Sequence, residues 1–130
     1  MSQMPAHVQS SIARFCEMSG IDHLEPSIND ITSLSVGSDV FNLEYNKDKL
    51  FSFYAFEIDP FEIDKIVKHA LEMSAPEIHF PLEVRVGLMG ERHIVYTTTI
   101  EEADVTPTKI SFVFETLLAQ KEILRTAIQT

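Results

Sequence analysis

The stretch VFNLEYNKDKLFSFYAFEI, residues 40–58, decides how the chain is to be read. Its first half alternates Phe41, Leu43 and Tyr45 against Asn42 and Glu44, the two-residue period of a strand with one face in a core. Asn46-Lys47-Asp48-Lys49 is turn chemistry, so the chain doubles back. The return run, residues 50–58, sets Phe51, Phe53 and Ala55 on one side and Ser52, Tyr54 and Phe56 on the other. A lone hairpin is not stable in water, so this one needs further strands beside it and a layer of helix. The period then changes. Asp59-Pro60-Phe61-Glu62 is a helix start, with Asp59 capping, Pro60 at the first helical position and Glu62 at capping-box spacing. Ile63, Ile66, Val67, Ala70, Leu71 and Met73 share one helical face. Pro76 ends that helix near Ser74.

The flanks supply the rest. Upstream, Val8, Ile12, Phe15 and Cys16 form one helical stripe over residues 5–19, stopped by Gly20. A short strand is expected over residues 31–36, closed by Gly37-Ser38. Downstream, Leu82, Val84, Val86 and Leu88 alternate with Glu83, Arg85 and Gly87. Met89-Gly90-Glu91-Arg92 turns that strand into another over residues 93–100. Thr106 caps a last helix, whose stripe is Ile110, Val113, Phe114, Leu117, Leu118, Leu124 and Ile128. The predicted order is α-β-β-β-α-β-β-α in one domain spanning 1–130. It is an α+β fold with a five-stranded antiparallel or mixed sheet and three helices.

Composition narrows the function. With 130 residues, 45% hydrophobic and 23% charged, the chain has ordinary globular composition. Twenty acidic residues against ten basic give a charge of -10. Nucleic acid and anionic membrane surfaces both recruit Lys and Arg, so neither is an expected partner. The N-terminal residues show no basic segment followed by an apolar one, and the single cysteine cannot form an internal disulfide. A cytoplasmic protein is expected.

A search for chemistry returns little. His7, His23, His69, His79 and His93 make no helical metal pair, and Cys16 is far from a CxxC arrangement. Cys16 has no partner base in its vicinity and reads as a small buried hydrophobe. Glu101, Glu102 and Asp104 precede a helix, where negative charge is favourable. Gly87 and Gly90 flank a hairpin rather than a strand-to-helix phosphate loop. No catalytic residue, cofactor or metal is expected, and the chain is not read as an enzyme.

Apolar residues, by contrast, are in surplus. The strand over 50–58 is apolar on both faces. On the last helix Phe112, Ala119 and Ile123 lie nearly opposite Ile110, Leu117 and Leu124, and Phe61 sits among charges. Scattered apolar surface is ordinary, but this much in a small domain favours a protein partner.

Three stretches then carry a resemblance: IARFCEMSGI at 12–21, GLMGERHIVYTTTIEE at 87–102 and TPTKISFVFETLLAQKEIL at 106–124. With the element order, size and acidity, they make the chain resemble the class I chaperones of bacterial type III secretion, and the SycN branch in particular. Residues 22–60 match only as a strand pattern. The resemblance implies a dimer that keeps the N-terminal segment of a secreted effector or gatekeeper protein soluble and extended, without ATP. The dimer contact it implies is Ile63, Ile66, Val67 and Ala70 with Val84 and Val86. The client-binding set it implies is Val8, Ile12, Phe15, Leu34, Phe41, Phe53 and Phe56. A homodimer and a heterodimer with a second small chaperone both fit. The alternatives are a general protein-interaction adaptor of similar fold unrelated to secretion, and a small-molecule-binding or enzymatic α+β domain.

Overall fold

The computed structural model describes residues 4–20, 30–59, 64–65, 68, 84–90 and 92–129. Helix α1, Ala6–Ser19, turns Val8, Ser11, Ile12, Phe15 and Cys16 inward. Gly20 ends it at a positive φ of 69°, with its N–H on the Cys16 and Glu17 carbonyls, a conformation that glycine adopts without a Cβ penalty. Strands β1 (Ile31–Val36), β2 (Asp39–Asn46) and β3 (Lys49–Glu57) follow as two hairpins. The tight turn between β2 and β3 puts Lys47 and Asp48 at φ 51° and 66°. Two consecutive positive φ values match the right-handed twist of the flanking strands.

Strands β4 (Arg85–Met89) and β5 (His93–Glu101) complete the sheet. Its order is β1-β2-β3-β5-β4, and every pairing is antiparallel. The sheet is therefore not mixed, and β5 lies beside β3 while β4 forms an edge. A 3-10 turn at Glu102–Asp104 occupies the acidic stretch before the last helix. Helix α2, Pro107–Gln129, closes the chain. Thr106 Oγ1 accepts the Lys109 backbone N–H at 3.0 Å and caps its first turn.

The described residues show two helices on a five-stranded sheet. The middle helix expected over 59–74 falls largely outside them. Of that stretch Asp64, Lys65 and Lys68 are described, and they are helical. The start of the fourth strand at Leu82 and Glu83 also lies outside.

The core occupies one face of the sheet. Alternation sends Leu34, Phe41, Leu43, Leu50, Tyr54, Phe56, Ile94, Tyr96 and Ile100 to the side of the helices, where they meet Phe15, Ile110, Val113, Leu117 and Leu124. Phe41 is the aromatic hub, edge-on to Phe15 at 6.0 Å and to Phe114 at 5.0 Å. On the other face the pairing aligns Val40, Ala55, Val95 and Gly87 in one row and Asn42, Phe53, Thr97 and Arg85 in the next.

Candidate binding surfaces

The polar centre of the molecule joins α2 to the sheet. Asp39, the first residue of β2, is buried, and its Oδ2 accepts the Tyr54 hydroxyl at 2.7 Å. Lys121 of α2 donates to the same oxygen. The Lys121 ammonium also lies 5.9 Å from the Tyr54 ring centroid and 5.6 Å from that of Phe56, so the charge is met by a carboxylate and two π faces. Burial, then the bond to Asp39, pushes the Tyr54 phenol well above its ordinary pKa.

A second node ties the far end of the sheet. Tyr45 donates to Glu102 Oε1 at 2.5 Å, and that bond, with desolvation next, pushes the phenol up to about 12. Glu102 also holds its backbone N–H on the Asp48 carbonyl and its own carbonyl on His7 Nε2 at 3.1 Å. The β2–β3 turn, the start of α1 and the approach to α2 thus meet at one residue. Both nodes position elements and leave no polar cleft of converging reactive groups. Burial pushes the Cys16 thiol up as well, which disfavours a nucleophilic thiolate. Among the described residues no three His, Cys, Asp or Glu side chains cluster to hold a metal. Nor is any helix there long and apolar enough to cross a membrane.

The residues expected to bind a client are placed differently from the expectation. Val8, Ile12, Phe15, Leu34, Phe41 and Phe56 are all buried in the core. Their strands and helix turn them toward each other, so in the single chain they lie inside and offer no surface. Phe53 alone of the seven lies on the opposite face, half-buried. Of the expected dimer contact, Val84 and Val86 are half-buried and pack against the core. Ile63, Ile66, Val67 and Ala70 lie outside the described residues.

Among the described residues the exposed large apolar side chains are others: Met18 at 57%, Val40 at 37%, Leu88 at 49%, Phe112 at 38% and Ile123 at 50%. Val40 borders Phe53 and Ala55 on the sheet face away from the core. Leu88 lies on the edge strand, and Phe112 and Ile123 lie on α2. The sequence singled out Phe112 and Ile123 as a second apolar line. It missed Leu88, whose alternation in β4 reads as that of a core residue.

The family model of the type III secretory system chaperone SycN matches residues 7–124. Among curated protein sequences none matches this chain. Two solved structures share its fold. One is the Yersinia pestis type III secretion chaperone SycH in complex with a stable fragment of YscM2. It has a TM-score of 0.65 at 17% identity, over 90% of this chain and 98% of that one. The other is E. coli YbjN, put forward as a transcription regulator. It has a TM-score of 0.60 at 8% identity, over 93% of this chain and 89% of that one. Such distant likeness fixes the architecture alone, and one architecture hosts several functions.

Proposed function

The chain belongs to the SycN family of type III secretion chaperones, and from that premise we propose that it binds the N-terminal segment of a secreted effector or gatekeeper protein. It keeps that segment soluble and ready for export in the bacterial cytoplasm. The observation that carries this reading is the family match, which spans both described helices but for Ala6 and the end of α2, and all five strands.

The chemistry of the surface agrees. Holding an unfolded segment calls for exposed apolar area and backbone pairing rather than for reactive groups. The chain offers apolar side chains on the open sheet face, on β4 and on α2. A charge of -10 favours the solubility of a chain with such a surface. SycH, of the same fold, is seen with a fragment of YscM2, and a comparable embrace of a secreted protein is proposed here. Val40 and Phe53 are the client contacts proposed on the open sheet face.

The reading includes a third helix over residues 59–74. It presents Ile63, Ile66, Val67 and Ala70 to a second chaperone subunit, identical or different, with the remaining exposure of Val84 and Val86 beside them. No reaction is assigned to the chain.

Co-expression with the secreted proteins encoded beside it tests the proposal. The client is expected to be insoluble or degraded alone and soluble in a stable complex. A partner that binds only in its folded state would favour the adaptor reading instead.

A further inference from the structure

Helix α2 buries one narrow seam. Ile110, Val113, Leu117, Gln120 and Leu124 recur at spacings of three, four, three and four, and all of them are buried. Gln120 alone among them is polar. It is 1% exposed, yet neither its Nε2 nor its Oε1 has a partner. Unmatched interior polar groups are exceptions that call for a reason.

The sequence of α2 holds a second seam of the same shape. Four residues make about 1.1 turns, so a helix moved along its axis by four positions brings each side chain to within about 40° of the place another has left. Phe114, Leu117, Lys121, Leu124 and Ile128 then fall in line. Each seam contains one polar residue, Gln120 in the first and Lys121 in the second. By this step Gln120 leaves the interior for the half-buried place of Thr116, and Lys121 enters the fully buried place of Leu117. The apolar pattern therefore does not choose between the two positions, whereas a lysine buried without a partner does. In the position observed, Lys121 lies beside the seam, on the Asp39 carboxylate and over the Tyr54 and Phe56 rings. Asp39 is itself held by the Tyr54 hydroxyl. Buried pairs of this kind add little stability over apolar residues of similar volume, and their best-attested use is to set register.

We propose that the Lys121–Asp39–Tyr54 contact is a register catch, which holds α2 in one of two packed positions a helical turn apart. Gln120 marks the other position, because it is buried without a partner in the first and released in the second. The displaced position gives up Thr106 as cap and brings Glu122 to the half-buried place of Leu118, so it is the minor one while the catch is closed. Packed interfaces yield in steps rather than by degrees. Drawing Lys121 away from Asp39 therefore moves α2 by one turn, about 6 Å along its axis. The step belongs to the fold and is independent of what the chain binds.

Its direction follows from two contacts. Phe114 meets Phe41 and Lys121 meets Asp39, so α2 runs antiparallel to β2 and the step carries it toward Asn46, at the far end of that strand. Spin labels on Asn46→Cys and Ala119→Cys, both exposed positions, read the step by pulsed electron paramagnetic resonance on the full chain carrying Cys16→Ala. One distance is expected with the catch intact. Asp39→Asn/Lys121→Met should add a second distance, shorter by up to about 6 Å. Adding Gln120→Leu should remove it, because the seam of the observed position is then wholly apolar. A single unchanged distance in the double variant overturns the catch. So does a second distance that Gln120→Leu leaves in place. A double variant that no longer folds by circular dichroism overturns it as well, since the apolar pattern must hold α2 without the pair.

Discussion

Replacing Lys121 by Met isolates one charge in the interior. Lys121 and Asp39 have side-chain exposures of 12% and 8%, and Tyr54 supplies the other bond to the carboxylate. Methionine keeps a stem of similar length over the Tyr54 and Phe56 rings, so packing survives and only the cation goes. Asp39 is then left buried with a single hydroxyl. Removing one member of a buried pair costs roughly 3–5 kcal/mol. A thioether against the rings returns about 0.3–1.5 kcal/mol. The expected net loss is about 3 kcal/mol. At an unfolding entropy of about 2.1 cal/mol/K per residue, that lowers Tm by roughly 11 °C for a chain of this length. Urea unfolding followed by far-UV circular dichroism measures it, with an unchanged m value marking a stability effect alone. Arg14→Met, which breaks an exposed pair of 64% and 68% exposure, should change stability by less than about 0.5 kcal/mol. Adding Asp39→Asn to Lys121→Met should recover most of the loss, because no unpaired charge remains. A Lys121→Met loss below about 0.5 kcal/mol, or a double variant whose losses simply add, refutes the reasoning.

The remaining predictions use the same structure. The chain has three tyrosines and no tryptophan, and all three phenols are pushed up. Absorbance at alkaline pH should therefore show the native protein mostly un-ionised near pH 10, where free tyrosine is half ionised; half-ionisation there with the fold intact contradicts the burial and hydrogen bonding assigned to the phenols. Because the folded pKa of Tyr45 exceeds its unfolded value, its contribution to stability is full below about pH 10 and is lost as pH rises through about 12. Tyr45→Phe should abolish that part of the alkaline loss. Cys16 should react with a thiol reagent only on unfolding, being buried with its pKa raised; rapid native labelling would place it at the surface. Thr106→Ala should destabilise the chain by about 1 kcal/mol through loss of the α2 cap, which the same urea titration reads.

Much of the architecture was legible because burial writes itself into period. The β2–β3 hairpin follows from the alternation around Asn46–Lys49, and α1 and α2 follow from their stripes and from Gly20 and Thr106. Strand order was not legible, since nothing local tells β5 rather than β4 to pair with β3. The Asp39–Lys121 contact joins residues far apart in the chain, and neither looks unusual in its own segment. Six of the seven residues expected to meet a client lie inside for a related reason. Apolar periodicity reports that a side chain avoids water, and Val8, Ile12, Phe15, Leu34, Phe41 and Phe56 avoid it in the interior of this chain. Phe53 differs only in parity, one strand position from Tyr54, and parity assigns a face without saying what covers it. Leu88 alternates as a core residue does, yet it lies on the edge strand and is exposed. Phe112 and Ile123 were legible because they break the single stripe that a helix with one buried face requires.

The central claim is that the chain holds part of a secreted protein without folding it. Hydrogen exchange on the purified complex, read by mass spectrometry for both polypeptides, addresses this most directly. The account predicts slowed exchange in the client's N-terminal segment only while bound, with fast exchange throughout that segment once the chaperone is removed. A segment that keeps the same protection after release has a folded core of its own, and that result would contradict the account.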